Sequence, residues 1–267
     1  MSEANKPIGI FDSGLGGLTL VKAIRENMPY ENIVYLGDSL NVPYGDKTPG
    51  QITEFAFNNT KFLLSKGVKA IAIACNTADG TARRELQECF TLPMVGVISP
   101  AAEKAAGLTR NKRVGVIATA AAVASGAYER AVKSYLPDCQ VFSVPAPKLV
   151  PLVESGKISL SDTETVDALK QYLDPLLKED IDTLVLGCTH YPLLMDIVKE
   201  LAPHIHIVPS GTSSLGALFD KLKSEHLLNT SGVRGETEFY VTGDPADFGR
   251  NGGIFLGESI EGLVKKA

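Results

Sequence analysis

The stretch Ala70-Ile71-Ala72-Ile73-Ala74-Cys75-Asn76-Thr77 is an apolar run that stops at a thiol and then turns through small polar residues. The chain does the same a second time, in Leu184-Val185-Leu186-Gly187-Cys188-Thr189-His190. A short, continuously apolar run reads as a strand buried on both faces, the habit of a parallel sheet covered by helices. In open sheets of this kind, ligands gather at the carboxyl ends of the strands. Two thiols delivered to two such ends can flank one small molecule, each serving as acid or base on its own side.

Outward from these runs, strand-like segments at 8–11, 33–36, 95–98, 114–118, 140–144, 205–208 and 238–241 alternate with helix-like ones at 18–27, 51–66, 81–90, 125–135, 162–178 and 193–201. That alternation predicts an α/β protein with parallel sheets flanked by helices. Pro175 predicts a bend or break in the 162–178 helix. The order of segments also repeats: Ile8-Gly9-Ile10-Phe11-Asp12-Ser13 resembles Val114-Gly115-Val116-Ile117-Ala118-Thr119, and Cys75 and Cys188 stand at a comparable separation. The expectation is two similar domains related by a pseudo-twofold axis, with the active site in the cleft between them. Residues 99–209 form the second domain. Residues 1–98 and 210–267 form a discontinuous first one, with crossings near Pro100 and Ser210-Gly211. The final segment, 258–266, reads as helical.

Hydrophobic residues make up 44% of the 267, enough for a substantial core, and the net charge is −5. No basic patch interleaved with aromatics is present, which argues against a nucleic-acid partner. The start lacks the pattern of an export signal, and no apolar stretch approaches the roughly 18 residues of a membrane span. The expectation is a soluble, cytoplasmic protein with no membrane association. The cysteines at 75, 89, 139 and 188 are scattered without a C-x-x-C, so neither a disulfide framework nor a metal is expected. Cys89 and Cys139 lack polar followers and are assigned to packing.

Other segments offer chemistry. Asp12-Ser13-Gly14-Leu15-Gly16-Gly17 follows the first strand; its glycines allow close backbone approach, and the next helix offers free N–H groups to an anion. Its spacing is not the dinucleotide fingerprint. Asp12 is either a helix cap or a carboxylate at the cleft mouth. Pro43-Tyr44-Gly45 is either a plain turn or a holder of a phenol and backbone donors. Asn76, Thr77 and Thr189 supply donors beside the thiols, and His190 can move a proton. Thr119 mirrors the Asp12-Ser13 turn. Glu154, in a loop-like stretch, reads as a surface charge.

Together, Phe11-Asp12-Ser13-Gly14-x-Gly16-Gly17-Leu18, Gly37-Asp38 with Pro43-Tyr44-Gly45, Cys75-Asn76-Thr77-Ala78, Val153-Glu154, Gly187-Cys188-Thr189-His190-Tyr191-Pro192 and the ending Phe239-Tyr240-Val241-Thr242-Gly243-Asp244-Pro245 resemble the glutamate racemase family. The resemblance spans nearly the whole chain. It implies a cofactor-independent enzyme that interconverts L- and D-glutamate and supplies the D-form for peptidoglycan, acting as a homodimer. It implies Cys75 as the acid/base toward the D-enantiomer and Cys188 toward the L-enantiomer, assisted by Asp12 and His190. Asp12, Ser13, Tyr44, Gly45, Asn76, Thr77, Thr119, Thr189 and His190 match substrate-binding positions; Pro43 and Glu154 are further candidates. The histidine after Cys188-Thr189 favours glutamate over aspartate. Ala122 stands where the family carries a second threonine, and Ser39-Leu40-Asn41-Val42 replaces a Thr-Ala-Arg segment; both bear on affinity. The alternatives are a relative acting on aspartate or another small acid, and a two-domain binding module without catalysis.

Overall fold

The apolar runs form parallel strands, and the glycine- and proline-marked segments between them carry helices. The computed structural model describes residues 2–267. The chain begins with β1 (Ile8–Asp12), α1 (Leu18–Asn27), β2 (Ile33–Gly37), α2 (Pro49–Ser65), β3 (Ala70–Ile73), α3 (Asn76–Cys89), β4 (Met94–Gly96) and α4 (Ile98–Leu108). It continues through β5 (Arg113–Ala118), α5 (Ala120–Ala124), α6 (Ala127–Tyr135), β6 (Gln140–Pro145), α7 (Leu149–Glu154), α8 (Thr163–Lys178), β7 (Thr183–Gly187), α9 (Met195–Leu201) and β8 (His206–Pro209). It closes with α10 (Ser210–Ser224), β9 (Thr237–Val241), α11 (Pro245–Leu256) and β10 (Val264–Lys266).

Two parallel sheets result, in the orders β10-β9-β2-β1-β3-β4 and β6-β5-β7-β8. The block β2-β1-β3-β4 has the same connectivity as β6-β5-β7-β8. In each, the chain leaves the central strand to one side and then returns on the other. The switch point lies between β1 and β3 in one sheet and between β5 and β7 in the other, and a crevice opens there at the carboxyl ends. Register brings Asp12 opposite Gly37 and Ala118 opposite Gly187 at those ends. Each of β1, β2, β3 and β7 is buried along its whole length. Leu18, Leu20, Val21 and Ile24 of α1 are fully buried against the first sheet, each contributing about 1.5–3 kcal/mol by leaving water.

Several elements differ from the sequence reading. The 95–98 strand ends at Gly96 and Ile98 already opens α4, because the Asp79 carboxylate accepts the Ile98 N–H at 2.7 Å and caps that helix. Helix α3 begins directly after Cys75 rather than at 81. Gly80, a poor helix former, holds a helical position where a Cβ would crowd Ser125 and Ile98. Helix α8 runs unbroken through Pro175, which sits in its last turn; the missing N–H forgoes the one ladder bond to the Gln171 carbonyl, and the helix ends within a turn of it. The end of the chain is helical earlier than expected. Asp244 caps α11, Gly257 ends it at a φ of 86°, and Val264–Lys266 then pairs with β9 as an edge strand. Glu154 is the last residue of α7, not a loop residue. No helix among the described residues is long and apolar enough to cross a membrane.

Candidate active site

Cys75 follows β3 and is the residue from which α3 starts, so its thiol lies at a helix N-terminus. Cys188 follows β7 and precedes a single tight turn at Tyr191–Leu194. Each strand is the third of its βαβ block, which is why both thiols reach a switch point. They line one cavity of about 190 Å³ between the two sheets. An apolar cavity of about 150 Å³ holds a six-carbon ring, so this one suits a small molecule. Both cysteines are buried, and all four thiols are free. Cys139 is buried as expected, but Cys89, on the outer face at the end of α3, is exposed rather than packed.

Ser13, Pro43, Tyr44, Gly45, Asn76, Thr77, Thr119, Glu154, Thr189 and His190 also line this cavity, drawn from both sheets. Asp12 does not; it lies behind the wall, fully buried. Its Oδ2 accepts the Gly17 N–H at 2.8 Å and so caps the entry to α1, while its Oδ1 has no partner among the described residues. The Thr189 hydroxyl, which lines the cavity, donates to the same Oδ2 at 3.5 Å. The turn that Asp12 organises comes very close to the other half of the molecule. A Cβ on Gly16 would overlap the Thr189 hydroxyl and stand 2.7 Å from His190 Nδ1.

The two thiols have unlike surroundings. Cys75 Sγ is 3.6 Å from the Ser13 hydroxyl oxygen. Burial, then the Asp12 carboxylate, push its pKa up to about 12, against the smaller opposing pull of the Ala78 N–H and Ser13. Cys188 Sγ is 3.7 Å from His190 Nδ1, and His190 Nε2 is 3.1 Å from Glu154 Oε1. Burial alone would lower the His190 pKa, but the Cys188 sulfur and the Glu154 carboxylate outweigh it and push the value up to about 10. The ring also sits edge-on to Phe255 of α11, 5.3 Å between centroids. Cys75 is thus held as a thiol and His190 as an imidazolium at neutral pH.

Polar contacts join the halves. Thr77 and Thr119 share a hydroxyl hydrogen bond of 2.7 Å across the cleft, and Thr119 also caps α5 by accepting the Ala122 N–H at 3.2 Å. Ala122 itself is buried beneath that cap and does not reach the cavity. The Tyr44 hydroxyl points away from the cavity, donating to Asp38 at 2.5 Å and accepting from Asn59 at 3.0 Å, so Tyr44 presents its ring and backbone. Of the 39–42 segment only Val42 lines the site; Asn41 instead binds Asp38. The sequence reading missed the apolar wall of Val42, Pro147, Val150 and Pro151. It left the Asp38 network unremarked and carried Glu154 only as a further candidate. The position of Asp38, one residue past β2, was the available signal.

The Asp/Glu/Hydantoin racemase profile matches residues 19–215. The chain belongs to the Asp/Glu/Hydantoin racemase family. Within that family, a glutamate racemase of Syntrophus aciditrophicus is 43% identical over 97% of this chain and 96% of its own length. A glutamate racemase isoform of Bacillus anthracis superposes with a TM-score of 0.92 at 36% identity, covering 98% of this chain and 97% of that one. The glutamate racemase of Francisella tularensis in complex with D-glutamate has a TM-score of 0.91 at 35% identity, covering 99% and 98%. These racemase relatives match nearly end to end, so the two-sheet architecture and the cavity lie within the shared fold.

Proposed function

We propose that the chain racemises glutamate without a cofactor, Cys75 and Cys188 acting as paired acid and base. The observation that carries this reading is the pair of buried thiols from equivalent strand ends lining one cavity. The near-full-length likeness to glutamate racemases supports the substrate.

The α-proton of an amino acid is weakly acidic, so its removal needs a base on one side and a proton donor on the other. With Cys75 held as a thiol, it is the donor in the first half-cycle and Cys188 is the base, its sulfur facing the His190 imidazolium. The Cys188 sulfur takes the α-proton; the electron pair left on carbon is delocalised onto the carboxylate. Cys75 then delivers its own proton to the opposite face and inverts the centre. Afterwards the roles are exchanged, and the reverse reaction or proton exchange with solvent restores the starting state. Asn76, Thr77, Thr119 and Thr189 hold the substrate's carboxylates and ammonium, and Ser13 is placed to steady the Cys75 sulfur. Fixed donors in a dry site stabilise the developing charge without reorganising. By this reading, the residence of each enantiomer's proton follows the assignments that the resemblance implies: Cys188 for L, Cys75 for D. The product would feed peptidoglycan synthesis.

Incubation of the purified protein with L-glutamate alone, followed by chiral separation, is expected to reach a racemic mixture; recovery of unchanged L-glutamate would refute the reading. Cys75→Ser and Cys188→Ser should each lower the rate by about 10²–10⁴-fold while keeping the parental circular dichroism spectrum. In deuterated water, label should enter chiefly the product enantiomer; early label in both enantiomers would indicate one base.

A further inference from the structure

Behind the cavity wall, a phenol from one half of the molecule reaches the residue that follows the thiol of the other half. Tyr128, near the start of α6, is 2% exposed and donates its hydroxyl to Asn76 Oδ1 at 2.5 Å. Its helix is preceded by Gly126, in the left-handed region at a φ of 63°. The ring lies against the end of β7, where a Cβ on Gly187 would stand 2.9 Å from Tyr128 Cε2. Gly187 immediately precedes Cys188, and Asn76 immediately follows Cys75. One side chain therefore touches both thiol-bearing strand ends.

The Asn76 amide is planar, with an acceptor on one side and two N–H donors on the other. Its Oδ1 is taken by the phenol, whereas its Nδ2 is buried and has no partner among the described residues, although Asn76 lines the cavity. A buried unpaired donor is costly, and its persistence at a cavity wall points to a ligand as the missing acceptor. Burial raises the pKa of the Tyr128 hydroxyl well above that of an ordinary phenol, so it remains a donor.

We propose that Tyr128 is a positioning residue whose hydroxyl fixes the Asn76 amide with its oxygen turned to the wall and its N–H groups turned into the cavity, ready for a substrate carboxylate. The inference takes from the glutamate reading only the identity of that carboxylate. A phenylalanine would fill the same space against Gly187; only the hydroxyl serves the amide.

The experiment compares Tyr128→Phe, Asn76→Ala and the double variant in the full chain. Tyr128→Phe should lower kcat/KM for glutamate by about 10–100-fold, the loss expected of a misdirected donor to a charged group. Added to Asn76→Ala it should cost less than about twofold more, because the phenol acts only through the amide. The side-chain ¹⁵N–¹H signals of Asn76, identified by their loss in Asn76→Ala, should move in Tyr128→Phe without any ligand. A Tyr128→Phe protein with parental kcat/KM, full additivity in the double variant, or unmoved Asn76 signals would overturn the positioning role. A parental protein inert toward glutamate whose Asn76 signals still move on Tyr128→Phe would remove the substrate assignment and leave the positioning role supported.

Discussion

His190 is the residue whose protonation the surroundings determine most visibly. It has almost no contact with water, yet the Cys188 sulfur and Glu154 carboxylate keep it charged. The sign of the resulting pH effect follows from linkage. A folded-state pKa of about 10 against 6.5 means that the native protein binds this proton more tightly than the unfolded chain. That stabilisation is complete below pH 6.5 and is lost as pH rises through about 10. Cys75 adds its own dependence only above its ordinary value of 9.0. Thermal melts of the parental protein should therefore show a falling Tm between pH 6.5 and 9, and His190→Gln should flatten that slope; a flat parental profile would contradict an imidazolium at this position. Little of this was legible in the sequence. The motif Cys188-Thr189-His190 places a histidine near a thiol, but Glu154 comes from α7, in a stretch that the sequence presents as a loop. A six-residue helix with one proline and a single polar residue gives no strong periodic signal, and its last residue becomes functional only when the helix packs beside the turn after β7.

At the scale of the element, the decisive piece is the turn between β1 and α1. Its residues are readable from the sequence as a glycine-rich strand-to-helix turn, and Asp12 as its cap. What the sequence does not reveal is the neighbour that requires glycine. Gly16 is tight because Thr189 and His190, from the other half of the chain, press against it. Gly16→Ala should therefore cost about 1–3 kcal/mol, the usual toll of overpacking, and should also lower activity by displacing His190. Urea unfolding and racemisation rates measured together check this; parental stability with parental rate would mean that the two halves are less closely apposed. The remaining elements divide in the same way. Strand β1 and helix α1 match the sequence reading closely because their apolar patterns are uninterrupted. Helix α3 does not, because it carries Gly80, a poor helix former standing where a Cβ would crowd Ser125 and Ile98.

The whole molecule is tied together by polar pairs far from the cavity as well as within it. Lys69, at the entry to β3, and Glu31, before β2, form a hydrogen-bonded ion pair with side chains 0% and 1% exposed. Lys69 also donates to the Ala4 carbonyl at 2.5 Å, and Glu31 accepts the Asn229 N–H at 2.8 Å. The pair thus fastens the N-terminal turn and the segment returning from α10 to the amino-terminal end of the first sheet. Burial lowers the Lys69 pKa, and the Glu31 carboxylate opposes that shift. Removing one partner strands a buried charge, so Lys69→Met should destabilise by about 3–5 kcal/mol, whereas Lys69→Met/Glu31→Gln should recover part of that loss. Denaturant midpoints of the single and double variants test it, and a double variant weaker than the single would reject the pairing. At the carboxyl-terminal end of the same sheet, Thr242 donates to Asp38 at 2.7 Å, joining the returning chain to the support of Tyr44. We propose that the crossings at 98–99 and 209–210 divide the chain into two units about this cleft. Helices α4 and α10 begin at those points.

The sequence by itself determined the α/β alternation, the two thiol-bearing strand ends and most of the polar residues beside them. Buried parallel strands demand continuous apolar runs, and those runs are local. Tertiary structure alone decided that Cys75 and Cys188 share one cavity, that Asp12 stands behind the wall, and that Glu154 and Tyr128 reach His190 and Asn76. Those partners lie far apart along the chain. Their meeting depends on strand order and on how two sheets pack, quantities that no local pattern of side chains encodes.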